Sequence, residues 1–221
     1  MLETASDYFA ARIDDYDSLI RRAVPRYDEM IERLVDYLPP GAERVLELGS
    51  GTGNLSLALA RRYPAARLTL VDASAEMLDL AGHRLDREST RIASRFEELD
   101  LAPLSFDLIT SCISLHHVLE KGALFARLRK LLEPGCPLVF SDQMRGGTDQ
   151  EHELNWTRWL EFCRRPGHCT EEEIESLLAH AGAHDHYVSV LDHVRLLEAA
   201  GFRDVDVVWR NWMWGLLVAR A

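Results

Sequence analysis

The sequence lacks a hydrophobic run of the length that crosses a membrane. A bilayer span needs about 20 consecutive apolar residues, and the chain has no such stretch. Its N-terminal residues also lack the basic-then-apolar layout of a signal peptide. From these two absences we expect a cytoplasmic protein that does not act at a membrane.

Basic residues are scarce. The chain has 25 Lys and Arg against 36 Asp and Glu, which gives a formal net charge of -11. Proteins that bind nucleic acid neutralise phosphates with clusters of Lys and Arg, and the best candidate here is the small group Arg21, Arg22 and Arg26. We therefore expect a small-molecule partner rather than a nucleic acid. A homodimer is left open.

Cysteine is also rare, with four residues that are scattered along the chain. A domain of this size needs no disulfide framework. Cys163, His168 and Cys169 lie close together, but their spacing fits no standard zinc pattern. The sequence therefore predicts no metal site.

What the chain does contain is an alternation of strand-like and helix-like segments, which is typical of βαβ units and a parallel sheet. Two closely spaced strands at the end predict a hairpin, because a parallel crossover needs a dozen or more residues. The expected fold is α/β, a Rossmann-like open sheet that is mostly parallel with one antiparallel strand near the edge and helices on both faces. The predicted strands are Arg44–Leu48, Arg67–Val71, Ile92–Arg95, Asp107–Ser111, Pro137–Ser141, Val205–Trp209 and Trp214–Ala219, and the predicted helices are Asn54–Arg62, Ala75–Leu85, Lys121–Leu132 and Leu191–Ala200.

The chain is long enough for one full core, so we expect a single domain over residues 1–221. A Pro-Pro-Gly turn at 39–41 sets off a helical cap over residues 1–40. Residues 142–190 are acidic, His-rich and aromatic, and we interpret them as a helical lid insertion over the site.

The glycine-rich stretch after the first strand contains Gly49, Gly51 and Gly53 in the order GxGxG. A dinucleotide fingerprint, GxGxxG, would need a third glycine where the chain has Asn54. Glu47, just before the loop, is awkward beside a pyrophosphate and suitable beside an ammonium group. The loop therefore favours a nucleoside with a cationic substituent, and a dehydrogenase is disfavoured.

Asp72 ends the second predicted strand. An acid at this place can accept hydrogen bonds from both ribose hydroxyls. Asp72, the glycines and Glu47 together give a much stronger signal for a nucleoside site than the glycines alone.

These residues carry a family resemblance. The stretches "RVLELGSGTG", "LTLVDASAEML", "SFDLITSCISLHHV" and "LRKLLEPGCPLVFSD" resemble, in motif and order, the class I S-adenosylmethionine-dependent methyltransferases, over about residues 8–221. The resemblance implies S-adenosylmethionine as cofactor, S-adenosylhomocysteine as product, and methyl transfer to a small-molecule acceptor by in-line displacement.

The resemblance also implies cofactor contacts. The glycine loop would pass beneath the methionine part and the ribose, and Ala73 and Met77 would lie beside the adenine. Where the family usually has an acid for the adenine amino group, this chain has Arg95, Phe96 and Glu97, so Phe96 could supply a backbone N–H or an apolar face instead. The candidate cofactor-binding residues are Arg22, Glu47, Gly49, Ser50, Gly51, Gly53, Asp72, Ala73, Met77, Phe96, Glu97 and Ser111.

Arg22 is included because "YDSLIRRAVPRYDEM" resembles the helix that closes over the cofactor in a subgroup of these enzymes. A guanidinium pairs bidentately with a carboxylate, here the carboxylate of the cofactor. The alternative is a solvated helix residue.

The candidate catalytic residues are His116, His186 and Tyr187. His116 and His117 follow the fourth predicted strand, at the end where ligands collect in open α/β sheets. One of them could act as a base or pocket donor, and the alternative is packing under the lid. His186 and Tyr187 lie in "HAGAHDHYVSV", where Asp185 could pair with His186.

Two other functions stay open. The segment "IRRAVPRY" is also similar to the carboxy-S-adenosylmethionine synthases, which modify the cofactor itself. That reaction would want an extra cation over the methyl position to hold a carboxylate, and Arg195 or Arg210 could supply it. The third alternative is a non-catalytic, S-adenosylmethionine-binding regulatory subunit.

Overall fold

The computed structural model describes Tyr8 and residues 10–101 and 105–221, and strands and helices alternate along them. Residues 1–7 and 9 of the predicted cap lie outside the described residues. The strands are β1 (Arg44–Leu48), β2 (Arg67–Asp72), β3 (Thr90–Ala93), β4 (Leu108–Cys112), β5 (Pro137–Gln143), β6 (Arg203–Asn211) and β7 (Trp214–Arg220). The helices are α1 (Tyr16–Ala23), α2 (Tyr27–Asp36), α3 (Asn54–Arg62), α4 (Ala75–Leu85), α5 (Lys121–Leu131), α6 (Asp149–Cys163), α7 (Glu171–His184) and α8 (Val190–Ala199), with a short 3₁₀ helix at Leu115–His117.

The strands form one sheet in the order β3-β2-β1-β4-β5-β7-β6. β1 pairs in parallel with β2 and β4, and β3 and β5 continue the parallel arrangement outward. β7 runs antiparallel to both β5 and β6. The predicted fold, with one antiparallel strand near the edge, is confirmed. The short turn between β6 and β7 explains the hairpin, because it leaves no room for a crossover helix.

Helices cover both faces of the sheet, as a parallel sheet requires. One core cluster joins β1, β4 and β5 to α5 and α8 through fully buried Leu46, Phe125 and Leu197. The cluster on the opposite face joins the same strands to α2, α3 and α4, with Leu34 and Leu59 fully buried. Consecutive side chains of a strand point to opposite faces, so the nearly continuous apolar runs seen in the sequence are what a two-sided core needs.

The helices between β5 and α8 pack against the N-terminal helices. Trp159 of α6 is buried and its Nε1 donates to the carbonyl oxygen of Ala23, 2.8 Å away. Trp156 stacks edge-on against Trp159, with ring centroids 5.0 Å apart. The third core cluster, which includes Met30 and Trp214, connects α1, α2, α6 and α7 to the β6–β7 hairpin. None of the described helices has the length and apolar character of a membrane span.

Candidate active site

A cavity of about 560 Å³ opens at the carboxyl ends of β1, β2 and β4. In open α/β sheets this is the edge where ligands bind. Glu47 and the glycine loop line one side of it, and residues 94–97 line another. Tyr16 and Tyr27 from the N-terminal helices, His184 at the end of α7 and His186 just beyond it also line the cavity.

The glycine loop adopts backbone conformations that other residues rarely adopt. Gly49, Gly51 and Gly53 have φ angles of +69°, +51° and +91°, in the left-handed region that glycine enters without a steric penalty. A Cβ at Gly49 would lie 2.2 Å from Ser114 Oγ, whereas a Cβ at Gly51 would meet nothing within 4 Å. Gly49 therefore allows close packing against the Ser114 side chain, and Gly51 leaves open space for a ligand.

Asp72 is held in place by backbone N–H groups. Its Oδ2 accepts from Gly51 N at 2.8 Å and its Oδ1 accepts from Ser74 N at 3.0 Å. Burial raises the pKa of Asp72, and these hydrogen bonds offset part of that effect. The carboxylate lines the cavity and keeps lone pairs that can accept from ribose hydroxyls.

Glu47 is a fully buried acid at the base of the cavity. Its Oε2 accepts from Ser56 Oγ at 2.6 Å. Burial raises its pKa to about 8, and the neighbouring charge of Asp72 adds to this effect, whereas the Ser56 hydrogen bond lowers the pKa. Among the described residues no Lys or Arg forms an ion pair with Glu47, and a buried carboxyl group of this kind favours a ligand that brings a cation.

These features fit a nucleoside cofactor with an amino acid substituent. Within the described part of the chain, the buried Ser50 Oγ lines the cavity without a hydrogen-bond partner. Phe96 and Met77 give the cavity an apolar surface. Arg127 donates to the carbonyl oxygens of Phe96 and Glu97, at 2.8 and 2.7 Å, and so fixes this loop.

The sequence interpretation missed the residues that join the N-terminal helices to the glycine loop. Asp17 Oδ1 accepts from Thr52 Oγ1 at 2.5 Å and from Asn54 Nδ2 at 2.9 Å. Asp17 Oδ2 accepts from Arg84 Nη1, also at 2.9 Å, and Arg84 donates to the Thr52 carbonyl. An acid near Arg84 in space could not be found from the sequence, because α1 and α4 are far apart in the chain.

Arg22 is placed differently from the prediction. Its guanidinium donates to both oxygens of Glu173, at 2.7 and 2.6 Å, and to the carbonyl oxygen of His168 at 2.9 Å. It is not part of the cavity wall. The bidentate pair with α7 satisfies the guanidinium, so we leave Arg22 out of the cofactor contacts proposed below.

Two other predicted cofactor residues lie behind the cavity wall. Ser111 Oγ donates to the carbonyl oxygen of Leu48 at 2.8 Å and is fully buried. Gly53 is the residue that precedes α3, and its φ of +91° sets the start of that helix. Neither belongs to the lining, whereas the remaining predicted cofactor residues, Glu47, Gly49, Ser50, Gly51, Asp72, Ala73, Met77, Phe96 and Glu97, do.

The predicted catalytic residues divide in the same way. His186 lines the cavity, but His116 and Tyr187 lie behind the wall, and His117 takes the lining position expected for His116. His116 Nδ1 is 2.6 Å from Asp142 Oδ1. Burial alone would lower the pKa of His116, but the charges of Asp142 and Asp185 outweigh it and raise the pKa. Neighbouring residues of a 3₁₀ helix point in different directions, so the sequence could not tell which histidine faces the ligand.

Comparison with known proteins identifies the family of this chain. Residues 45–135 match the family model of a methyltransferase domain. The chain is 30% identical over 217 residues to a carboxy-S-adenosyl-L-methionine synthase from Pseudomonas fluorescens. The alignment covers 88% of this chain and 83% of that relative. It is 29% identical over 181 residues to a malonyl-[acyl-carrier protein] O-methyltransferase from Geobacter sulfurreducens. This alignment covers 78% of this chain and 66% of the relative.

Solved structures show the same fold. One chain of the complex between the Haloferax volcanii Trm112 methyltransferase activator and a methyltransferase superposes with a TM-score of 0.72 at 16% identity. The superposition covers 96% of this chain and 97% of the other. The phosphoethanolamine N-methyltransferase 2 of Haemonchus contortus, in complex with S-adenosyl-L-methionine, has a TM-score of 0.72 at 16% identity, over 98% of this chain and 58% of the other.

The fold and the cavity define a nucleoside-binding enzyme of the Rossmann-like class. With the sequence relatives, the assignment becomes specific: the chain belongs to the class I S-adenosylmethionine-dependent methyltransferase family. It is a methyltransferase with S-adenosylmethionine as its cofactor.

Proposed function

We propose that the enzyme transfers a methyl group from S-adenosylmethionine to a small-molecule acceptor that enters the same cavity. The observation that carries this proposal is the continuity of the cavity. Its lining includes Glu47 and Asp72, from β1 and β2, together with His117, His184 and His186. A volume of about 560 Å³ lies in the range of small-molecule sites, and in this proposal the cofactor and the acceptor share it.

In this proposal Glu47 pairs with the ammonium group of the cofactor and Asp72 accepts hydrogen bonds from the ribose hydroxyls. Met77 and Phe96 pack against the adenine. The cofactor supplies an electrophilic methyl group on a sulfonium. Glu47 and Asp72 would hold the cofactor, which would supply this methyl group to the acceptor nucleophile with S-adenosylhomocysteine as the product.

For such a transfer the protein mainly aligns the two reactants and excludes water. Tyr16 and Tyr27 line the cavity from the N-terminal helices; Tyr27 is buried and Tyr16 is partly buried. Aromatic rings attract a neighbouring cation, which suits a sulfonium. We propose that α1 and α2 act as the cap of the site and that α6 and α7 form its lid.

The structure gives a reason to favour methyl transfer over carboxylation of the cofactor. A carboxylated cofactor needs a cation near the methyl position. Arg195 pairs with Asp192 and is 74% exposed, and Arg210 donates to the carbonyl oxygen of Trp212. Neither lines the cavity. Among the described lining residues the arginine is Arg95, which belongs to the loop beside Phe96 and Glu97.

Three measurements test the proposal in sequence. Calorimetry should show binding of S-adenosylmethionine and S-adenosylhomocysteine and none of NAD. Mass spectrometry of the ligand carried through purification should show no carboxylated cofactor. A screen of small amines, thiols, phenols and carboxylates should then find an acceptor that releases S-adenosylhomocysteine. A carboxylated cofactor would support the synthase, and cofactor binding without release from any acceptor would support a regulatory subunit.

Two further points belong to this proposal. We propose a cytoplasmic location, supported by four cysteines that are all unpaired, as is usual in a reducing compartment. The homodimer left open by the sequence stays a prediction that light scattering on the purified protein tests.

A further inference from the structure

Three histidines lie around one carboxylate oxygen beside the part of the cavity that His117, His184 and His186 line, which we call the lid end. Asp185 Oδ1 lies 3.0 Å from His117 Nδ1, 3.7 Å from His116 Nε2 and 3.9 Å from His180 Nε2. His116 and His117 come from the 3₁₀ helix after β4, whereas His180 and Asp185 come from the end of α7. We call these four residues the His–Asp cluster. The side chains of His116, His180 and Asp185 are 5 or 6% exposed, and that of His117 is 20% exposed.

The spacing of three of these groups is that of a metal ligand set. The ligand atoms of His116, His117 and Asp185 all lie within 4.8 Å of one another. Zinc binds histidine nitrogen and carboxylate oxygen at about 2.0–2.2 Å, so adjacent ligands of a tetrahedral site lie about 3.3 Å apart. The distances of 3.0 and 3.7 Å to Asp185 Oδ1 lie on either side of this value. Small side-chain adjustments would bring the three atoms onto one ion.

The surroundings orient these ligands as a metal site requires. His116 Nδ1 is 2.6 Å from Oδ1 of the fully buried Asp142. A proton donated from Nδ1 to Asp142 leaves Nε2 as the metal-binding atom, the arrangement that most metal-ligating histidines show. The Tyr187 hydroxyl donates to Asp185 Oδ2. The two oxygens of Asp185 therefore have different contacts: Oδ2 is held by Tyr187, and Oδ1 faces the histidines.

We propose that His116 Nε2, His117 Nδ1 and Asp185 Oδ1 form a binding site for one divalent transition-metal ion, of which Zn²⁺ is the expected occupant. Two histidines and one carboxylate are a ligand set of catalytic zinc sites, which keep a further position for water or substrate. Zn²⁺ has no redox chemistry and so suits a methyl transfer. In the metal-bound form His116 keeps its proton on Nδ1, beside Asp142, and binds the ion through Nε2.

The site also has a chemical role, which rests on the function proposed above. His117 lines the cavity, so the further coordination position of the ion is reached from the lid end, where the acceptor would bind. A bound Zn²⁺ lowers the pKa of an oxygen ligand and favours the thiolate form of a thiol. The acceptor class that this site would activate is therefore a small molecule with a hydroxyl or thiol group. Metal binding itself is independent of this role.

Metal binding is measured on the full chain, without knowledge of the acceptor. The protein is stripped with a chelator and titrated with Zn²⁺ against a chromogenic competitor, and we expect one ion per chain. Asp185→Asn and His117→Gln should each lower the affinity for Zn²⁺ by more than about 100-fold. Asp142→Asn should lower it by about 10–100-fold, the usual effect of losing a group that orients a ligand. His83→Gln is the matched control, because His83 is exposed on α4, and it should change nothing.

A second measurement identifies the ligands. Co²⁺ in the site should give visible absorption bands of a four- or five-coordinate ion without the charge-transfer band of a thiolate. Cys169→Ser tests the nearby group of Cys163, His168 and Cys169. The proposal is overturned if the intact protein binds no stoichiometric Zn²⁺. It is also overturned if Cys169→Ser abolishes binding, or if Asp185→Asn and His83→Gln have the same effect.

Calorimetry with S-adenosylhomocysteine on the same samples separates the two proposals. Retained binding shows that a variant is folded and that the cofactor end of the cavity is intact. Loss of zinc binding with normal S-adenosylhomocysteine binding in the intact protein would remove only the metal site. Absence of S-adenosylhomocysteine binding in the intact protein would instead remove the function proposed above.

Discussion

The two ends of the cavity are built in different ways. At the cofactor end, Gly51 and Asp72 belong to one βαβ unit and meet through a backbone N–H group at 2.8 Å. At the lid end, the His–Asp cluster and Asp142 come from three segments, and His116 and His117 contact Asp142 and Asp185 through their side chains. The cofactor end therefore depends on local backbone conformation, and the lid end depends on how distant segments pack.

This difference has a functional consequence. The cofactor end combines the backbone of the glycine loop with the carboxylates of Glu47 and Asp72, all within one βαβ unit, so this part of the cavity can stay the same while distant side chains change. A site made of side chains on a long connection can change its ligand through a few substitutions. The construction of the cavity thus suits an enzyme with a constant cofactor and a specialised acceptor, as fold families with many functions show.

The largest effect is expected at the backbone of the cofactor end. Gly49→Ala places a Cβ 2.2 Å from Oγ and 2.3 Å from Cβ of the buried Ser114, and it forces alanine to a φ of +69°. Overpacking and a left-handed residue each cost on the order of 1–3 kcal/mol. We expect the free energy of unfolding to fall by about 2–5 kcal/mol, as measured by denaturant titration.

Gly51→Ala is the control for this prediction. A Cβ at Gly51 meets nothing within 4 Å, so only the strain of a φ of +51° is left. The loss of stability should be about 1–2 kcal/mol, with S-adenosylhomocysteine binding weakened because the methyl group occupies cavity space. Equal losses of stability for the two variants would show that the close contact with Ser114 does not determine the conformation of Gly49.

The next largest effect is expected on the affinity for S-adenosylhomocysteine when Asp72 is replaced. Asp72→Ala removes the proposed acceptor for the ribose hydroxyls, and we expect S-adenosylhomocysteine affinity to fall by about 1–3 kcal/mol, or roughly 5- to 150-fold. Asp79→Ala is a matched control, because Asp79 is exposed on α4 and pairs with Arg91. Calorimetry that gives the same affinity for both variants would contradict the assignment of Asp72.

The same contrast explains what the sequence could predict. The glycine loop, Glu47 and Asp72 were found because their chemistry lies at the ends of strands that are close in sequence. The bounds of β1, α3 and α4 were predicted without error because each has a strong local pattern and a turn at its end. β3 was predicted as Ile92–Arg95 but is Thr90–Ala93, since this short, partly exposed edge strand gives a weak pattern.

The lid end could not be predicted in the same way. Arg22 was assigned to the cofactor because a guanidinium suits any carboxylate, and the sequence does not say that Glu173 is nearer. His116 was given as the catalytic candidate, but the sequence could not choose between His116 and His117, because the direction of each side chain depends on Asp142 and Asp185 in other segments. These positions depend on the packing of α6 and α7 against the sheet, which no local pattern encodes.

Cofactor affinity should also depend on pH through Glu47. Burial raises the pKa of Glu47 to about 8, so below that pH the acid is mainly protonated in the free enzyme. The proposed ammonium pairing needs the carboxylate, so binding at pH 7 releases a proton. Affinity for S-adenosylhomocysteine should rise by up to about tenfold per pH unit between roughly pH 6 and 8.

Calorimetry in buffers of different ionisation enthalpy measures this proton release directly. Glu47→Gln cannot ionise, so it should bind S-adenosylhomocysteine more weakly and lose most of the pH dependence. The neighbouring Asp72 has a pKa that burial also raises, and the glutamine variant separates the two acids. No proton release by the unchanged protein at pH 7 would show that Glu47 does not pair with the ammonium group.

The smallest effect is expected for Arg22, which the sequence assigned to the cofactor carboxylate and which the structure places beside Glu173. Arg22 and Glu173 are 27% and 29% exposed, and pairs of this kind contribute at most about 1 kcal/mol. Arg22→Ala should lower the free energy of unfolding by about 0.5–1 kcal/mol, with no change in S-adenosylhomocysteine affinity. A double-mutant cycle with Glu173→Gln should show that most of this loss comes from the pair. A tenfold loss of affinity without that coupling would instead assign Arg22 to the cofactor carboxylate, and α1 would then have to move when the cofactor binds.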